Sequence, residues 1–318
     1  MNRLNEKTIV KIFQDKLGNK KFIPEDVEFF KIGKKYVVVK VDTLVESTDM
    51  PYGTKLEDAA RKSIISCVSD FAAKGVEPNF GIVSLTIPKR YSNTKIENLA
   101  AGFAKAAKEF HIKILGGDTN EGTELVISFS LFGITEKIVK RKGAKSNDII
   151  ITSGPFGYSS AGLNILLKNK KYSKRFGVKA KKAVFRPDCK LVFGLKNKNY
   201  FSSAMDSSDG LSTTLIEMSN QSKSKFIINK LPTEADVVDF ANSNKLNIKN
   251  LIFNGGEEYE IVSTINPRHI TRVKKYAKKH HIRLYEIGFV SKGTGVFYQE
   301  NNKLTRIKDG GWQHFQKS

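Results

Sequence analysis

The chain has 318 residues and 40% hydrophobic content, enough for about two ordinary domains with a substantial buried core. Two widely separated cysteines, Cys67 and Cys189, exclude a disulfide framework and a thiolate metal site, and the five histidines show no ligand spacing. The formal net charge of +22 would attract nucleic acid, anionic membranes or phosphorylated small molecules, yet the lysines are spread along the chain with local clusters such as Lys181–Lys182 and Lys274 to Lys279, so a solvated surface is favoured over a dedicated nucleic-acid face.

From the N-terminus, Met1 to Phe13 alternates polar and apolar residues, with neither a secretory apolar region nor a membrane-spanning stretch, so a cytoplasmic protein is expected. Tyr36 to Leu44 is rich in β-branched residues and predicts a strand. Leu56 to Lys74 places Ala59, Ala60, Ile64, Val68, Phe71 and Ala72 at helical spacing before Gly75, predicting an amphipathic helix. Residues 79–87 predict a strand, 96–110 a helix, and 112–115 and 124–136 strands. The apolar pattern breaks near Arg141 to Asp148, and a second set begins: a strand over 148–153, a Gly/Ser-rich turn, a helix over 160–168, a short strand over 203–205, and helices around 211–219 and 269–279. A boundary near residue 140 separates two halves that each mix α and β, predicting two α+β layers of sheet covered by helices.

The acidic residues are outnumbered, yet several stand where local structure would not choose them. Asp70 lies near the C-terminal end of its helix, where the macrodipole disfavours an anion unless a cation compensates; a metal would do so, and so would Lys74 at i+4. Asp42 and Asp118 are expected where strands hand over to loops, and for Asp118 a turn satisfied by its own backbone competes with a nucleotide-binding role for Gly116-Gly117-Asp118-Thr119. In Asp206-Ser207-Ser208-Asp209-Gly210 an N-cap explains one residue but not two aspartates flanking two serines. Gly255-Gly256-Glu257-Glu258-Tyr259-Glu260 runs a glycine pair into carboxylates, although a plain hairpin turn would look the same. No P-loop, dinucleotide-binding glycine motif or protein-kinase catalytic loop is present, and Gly154 to Gly162 lacks the P-loop lysine.

In order, Glu25-Asp26, Val41 to Glu46, Ser69 to Gly75, Gly116 to Thr119, Met205 to Leu211, Gly255 to Glu260 and the closing Gly311-Trp312-Gln313-His314-Phe315 resemble the thiamine-monophosphate kinase family, across nearly the whole chain. The resemblance implies a two-domain fold like that of aminoimidazole-ribonucleotide synthetase, here 1–140 and 141–318, and transfer of the ATP γ-phosphoryl group to thiamine monophosphate. It also implies several Mg ions and a homodimer built through the N-terminal domains. Carried over by position, it assigns Asp26, Asp42, Asp70, Asp118, Asp206 and Asp209 to Mg, with Asp70, Asp118, Asp206 and Asp209 at the catalytic centre. Gly117, Asp118, Arg141 and Ser208 fall at ATP positions, and Asp49, Glu257 and Trp312 at substrate positions. Departures from the bacterial pattern are Glu25, Lys40, Asp49 and Glu258; Lys40, two residues before Asp42, should share its face of the strand and could replace one metal contact with an ammonium.

Relatives of this layout offer alternatives. Selenophosphate-synthetase-like enzymes use a reactive residue near the N-terminus, whereas the first cysteine here is Cys67, inside a helix, and the hydrogenase-maturation type carries a C-terminal Cys that Gln316-Lys317-Ser318 lacks. A purine-pathway synthetase is the nearest enzymatic alternative. A basic nucleic-acid-binding protein is the alternative of another class, and it leaves the ordered carboxylate motifs unexplained.

Overall fold

The computed structural model describes residues 5–19, 23–313 and 315; His314 of the closing motif lies outside them. The first half contains α1 (Glu6–Lys16), β1 (Glu28–Ile32), β2 (Lys35–Val45), α2 (Glu46–Asp49), α3 (Leu56–Lys74), β3 (Phe80–Pro88), α4 (Asn93–Glu109), β4 (Lys113–Gly122) and β5 (Val126–Thr135). The second half runs β6 (Ile149–Thr152), α5 (Tyr158–Lys168), α6 (Lys174–Phe185), α7 (Leu191–Asn197), β7 (Phe201–Ser207), α8 (Leu211–Ser222) and β8 (Lys225–Ile228). It continues through α9 (Ala235–Ser243), α10 (Ile248–Phe253), β9 (Glu260–Ile265), α11 (Pro267–Lys279), β10 (Tyr285–Ser291), β11 (Gly295–Glu300) and β12 (Lys303–Arg306). The first five strands form one sheet in the order β1-β2-β5-β3-β4, and the other seven a second sheet in the order β12-β11-β8-β10-β6-β9-β7. Both sheets are mixed, antiparallel except for β3 with β4 and β8 with β11. The expected α+β architecture, sheets covered by helices, is therefore the one observed.

In β2 burial alternates with the strand period, although the apolar residues occupy both faces. Val38 and Leu44 are buried against the helices while Val41 faces out. The same period puts Lys40 and Asp42 on the helix-covered face.

Two expectations are corrected. The helix over 56–74 is not amphipathic: besides its apolar residues, Arg61, Lys62, Ser63, Ser69, Asp70 and Lys74 are buried too. It is buried all round because it lies between the two halves, with Ala72 and Ala73 packed beside Phe193, Phe201 and Ile261. Its end is the one expected, Gly75 at φ 66° closing the last turn with amide bonds to the carbonyls of Ala72 and Phe71 through Gly75 and Val76.

Second, Asp42 and Asp118 do not stand at strand ends. Asp42 lies inside β2, and β4 runs on through Gly116, Gly117 and Asp118 to Gly122, paired in parallel with β3 so that Asp118 faces Ser84. The glycines read as a turn because of their backbone freedom, but at Gly117 the requirement is space: a Cβ there would sit 1.8 Å from the Val83 carbonyl oxygen.

Candidate active site

Helical spacing along α3 sets Lys62, Ser66, Ser69, Asp70 and Lys74 along one stripe, and that stripe lines the junction of the two halves. Opposite it stand Asp26, just before β1, and Asp206, in β7. Asp26, Asp70 and Asp206 are all buried, and one carboxylate oxygen from each lies within 4.8 Å of the others. Three segments widely spaced in the chain thus deliver carboxylates to one point.

The surrounding cations are unevenly distributed. Lys74, fully buried, sits 2.8 Å from both Glu25 and Asp26 and donates to the Ala204 carbonyl at 3.0 Å. It therefore does not neutralise Asp70, which pairs instead with Lys40 at 2.9 Å. Arg141 reaches Asp26 Oδ1 through Nε at 2.6 Å. Asp26 Oδ2 faces the Lys74 ammonium at 2.8 Å and has no other partner among the described residues. Asp206 accepts from the Ser69 hydroxyl at 2.8 Å, and Asp42 has Lys40 at 3.3 Å.

These environments push the acids apart. For Asp26 burial works against ionisation, but the charges of Lys74 and Arg141 outweigh it and hold the carboxyl below its ordinary range. Burial, reinforced by the charge of Asp206, lifts Asp70 well above that range. Burial and then the charge of Asp26 lift Asp206 to about 6. A set of three buried carboxylates made only of oxygen donors, two of which resist ionisation without a further cation beside them, suits a hard divalent cation such as Mg.

A second group gathers beside the first. The Glu257 amide donates to the Ser208 carbonyl at 2.6 Å, and the Trp312 amide to the Asp209 carbonyl at 2.9 Å. Asp209 precedes Gly210, which caps the N-terminus of α8. Glu257 holds a left-handed φ of 62°, unusual outside glycine, so local geometry is constrained here beyond what the chain would choose alone. Its carboxylate lies 2.6 Å from the Lys62 ammonium, which also donates to the Asp49 carbonyl at 3.0 Å. Lys62 thus ties two expected substrate positions from opposite halves of the chain. The Asp49 carboxylate itself folds back to accept from the Val45 amide at 2.7 Å, while the Trp312 indole is exposed.

Of the expected site residues, Asp26, Asp70 and Asp206 converge, with Asp42 joined to Asp70 through Lys40; Ser208, Asp209, Glu257 and Trp312 are adjacent, and Arg141 backs Asp26. Asp118 stands apart. Its register with Ser84, and that of Ser84 with Ser128 and Thr43 beyond, puts it on the face of the first sheet opposite to Asp42, where it accepts from Asn120 at 3.2 Å. Lys62 and Lys74 were missed as site residues; the available signal was their helical spacing from Asp70, on the same stripe of the helix. Glu258, noted only as a departure, accepts from the amides of Gly157 at 2.7 Å and Ser159 at 3.1 Å, closing the first turn of α5.

Comparison with known proteins adds relatives over the whole length. The family model for "AIR synthase related protein, N-terminal domain" matches residues 24–135. The chain is 55% identical over 315 residues to the thiamine-monophosphate kinase of Nitrosopumilus maritimus, covering 99% of this chain and 100% of that one. It is 30% identical over 316 residues to the thiamine-monophosphate kinase of Pyrococcus horikoshii, covering 99% and 97%. The solved structure of AaThiL complexed with AMPPCP and TMP superposes with a TM-score of 0.86 at 26% identity, covering 99% of each chain.

Proposed function

Because the chain belongs to the thiamine-monophosphate kinase family, we propose that it transfers the γ-phosphoryl group of ATP directly to the phosphate of thiamine monophosphate, giving thiamine diphosphate, at the carboxylate cluster between the two halves. The observation that carries this reading is the convergence of buried Asp26, Asp70 and Asp206. Buried carboxylates at that spacing repel one another and are stabilised by divalent cations. Mg held by these three, with Asp42, Asp209 and Asp118 as further ligands, would supply charge neutralisation for phosphate groups. Asp118, on the other face of its sheet, belongs to the set only if a second chain or a shift of β4 brings it there.

The acceptor needs no strong base, since a phosphate monoester is largely ionised near neutral pH and can attack in line. The residues of the chain therefore bind and orient. Ser208, at the lead-in to α8, and Arg141, along Asp26, take ATP, with Gly117 as the further position. Glu257, Asp49 and the exposed Trp312 face take thiamine monophosphate, the indole stacking on its cationic ring. Lys62 fixes the Glu257 carboxylate against the Asp49 backbone.

We read residues 1–140 as the domain for ATP, Mg and dimerisation and 141–318 as the domain that completes the site, in a cytoplasmic homodimer. Every strand of the first sheet precedes residue 136 and every strand of the second follows residue 148. Dimerisation through the first domain is supported by the outward face of its sheet, where exposed Phe30, Val41, Phe80, Ile82 and Ile134 form one apolar patch. No helix among the described residues is long and apolar enough to cross a membrane.

The test is a product assay with purified protein, ATP, Mg and thiamine monophosphate, with a parallel sample in chelator. Thiamine diphosphate should form only with metal. ATP consumption on a purine precursor without thiamine diphosphate formation would assign the chain to another branch of the superfamily.

A further inference from the structure

The cations of the site divide into two sets. Lys74 and Arg141 face Glu25 and Asp26, two cations against two carboxylates. Asp42, Asp70 and Asp206 remain, and among the described residues Lys40 is the one cation within 4.0 Å of Asp42 or Asp70, at 3.3 and 2.9 Å. Its place is fixed by the backbone. It lies in the interior of β2, opposite Leu131 of β5 and one residue beyond the stretch paired with β1, and strand alternation points it at the same face as Asp42, onto which α3 brings Asp70.

We propose that Lys40 is a resident cation of the metal centre: its ammonium takes the position between Asp42 and Asp70 that a divalent ion would otherwise hold, so that this chain binds one divalent ion fewer than its carboxylates would allow. The inference rests on the metal-binding reading above and adds to it a stoichiometry. Three carboxylates against one ammonium leave two negative charges, which one divalent ion matches. Without the ammonium a third negative charge stands uncompensated beside Asp70. A second divalent ion bridging Asp42 and Asp70 would have to lie within a few ångströms of the ammonium, where like charges repel. The ammonium is ion-paired with both carboxylates and so holds the two side chains together at the edge of the cluster. Lys40 is thus a positioning residue, and its effect is read in the ions that bind.

The experiment uses the full chain without nucleotide, counting bound Mn²⁺ by equilibrium dialysis at a fixed low ionic strength and confirming displacement by Mg²⁺. Lys40→Ser and the longer, neutral Lys40→Gln should each bind one more Mn²⁺ per chain than the wild type, and Lys40→Arg should keep the wild-type number. Anomalous diffraction from Mn²⁺-soaked wild-type crystals should show no peak between Asp42 and Asp70, and Lys40→Ser crystals should show one. The same Mn²⁺ count in wild type, Lys40→Ser and Lys40→Gln, or a wild-type peak between Asp42 and Asp70 with the lysine swung away, overturns the inference while leaving the metal-binding reading intact. A wild type that binds no Mn²⁺ at all overturns both.

Discussion

Asp206→Asn should make the metal-free protein more stable and the enzyme inactive. Asp206 is buried, and its carboxyl is raised to about 6 from an ordinary 3.8, first by burial and then by the charge of Asp26. A displacement of roughly two pH units corresponds to about 3 kcal/mol of penalty on the ionised form. In the unfolded chain the group loses its proton near 3.8, in the folded chain near 6, so the folded state holds more protons between these values. Stability must then fall as pH rises from about 4 through 6 and level off above. Asparagine keeps an oxygen to accept from Ser69 and removes the charge, so the gain at pH 8 should be about 1–3 kcal/mol, or a few degrees in Tm for a chain of this size. The assay is thermal unfolding in chelator at pH 5 and pH 8, with and without saturating Mg. The variant's advantage should be largest at pH 8 in chelator, shrink at pH 5 and vanish or reverse with Mg. A variant less stable than wild type in chelator at pH 8, or an advantage indifferent to pH and metal, would refute the reasoning.

Asp70→Asn and Asp209→Asn should each lower turnover at least about 100-fold with the circular-dichroism spectrum unchanged, as expected when electrostatic stabilisation at a phosphoryl-transfer centre is removed; wild-type activity in either variant removes that residue from the catalytic set. Lys62→Met, which leaves Glu257 without its 2.6 Å partner, should cut kcat/KM for thiamine monophosphate about 10-fold with the KM for ATP little changed, as steady-state kinetics with each substrate varied will read. Burial raises Glu258 to about 8 against the opposing pull of the Gly157 and Ser159 amides, so it should contribute a decline in wild-type stability as pH rises from about 4.5 through 8; Glu258→Gln, which can accept the same amides, should show a smaller drop in urea midpoint between pH 5 and pH 9 than the wild type. Val41→Glu, on the exposed apolar face of the first sheet, should shift the chain from dimer to monomer by light scattering while leaving the far-ultraviolet circular dichroism intact.

Local structure was legible where one period or one punctuating residue decides it. The β-branched run of Tyr36 to Leu44 reports the strand but not its buried face, since the apolar odd positions turn outward while Lys40 and Asp42 face the helices, and Gly75 marks the end of α3 because a left-handed closing residue favours glycine. What failed was decided at a distance. The polar residues of α3 suggested a solvated side, yet Lys62 and Lys74 are buried against carboxylates from residues 257 and 25–26, partners that no local window contains. Gly116 and Gly117 suggested a turn because nothing local shows that β3 supplies parallel pairing along their whole length. The short helices α7, α9 and α10 went unread for a related reason: seven residues such as Leu191 to Asn197 are too few to show a period, and α7 is held by packing against α3. The site itself was legible as a list of carboxylates and illegible as a set of pairs, since the Ser69 to Asp206 bond joins residues 137 apart.

That difference explains how a chain of net charge +22 builds an acidic centre. The positive excess lies mostly on the solvated surface, as at Lys89 and Arg283, where water and salt screen it. Inside, several buried and half-buried cations are individually matched: Lys74 and Arg141 to the Glu25–Asp26 pair, Lys62 to Glu257, Lys40 to Asp42 and Asp70, and Arg61 to Glu109. A buried ion pair contributes little net stability once desolvation is counted, but removing one member leaves a costly unpaired charge. The matched cations therefore act chiefly to fix where each carboxylate stands. Asp206, whose close partner is a neutral hydroxyl, keeps capacity to bind a further cation. The junction between the halves is thus rigid in position and deficient in positive charge, the combination a site needs if divalent metal and phosphate are to enter together.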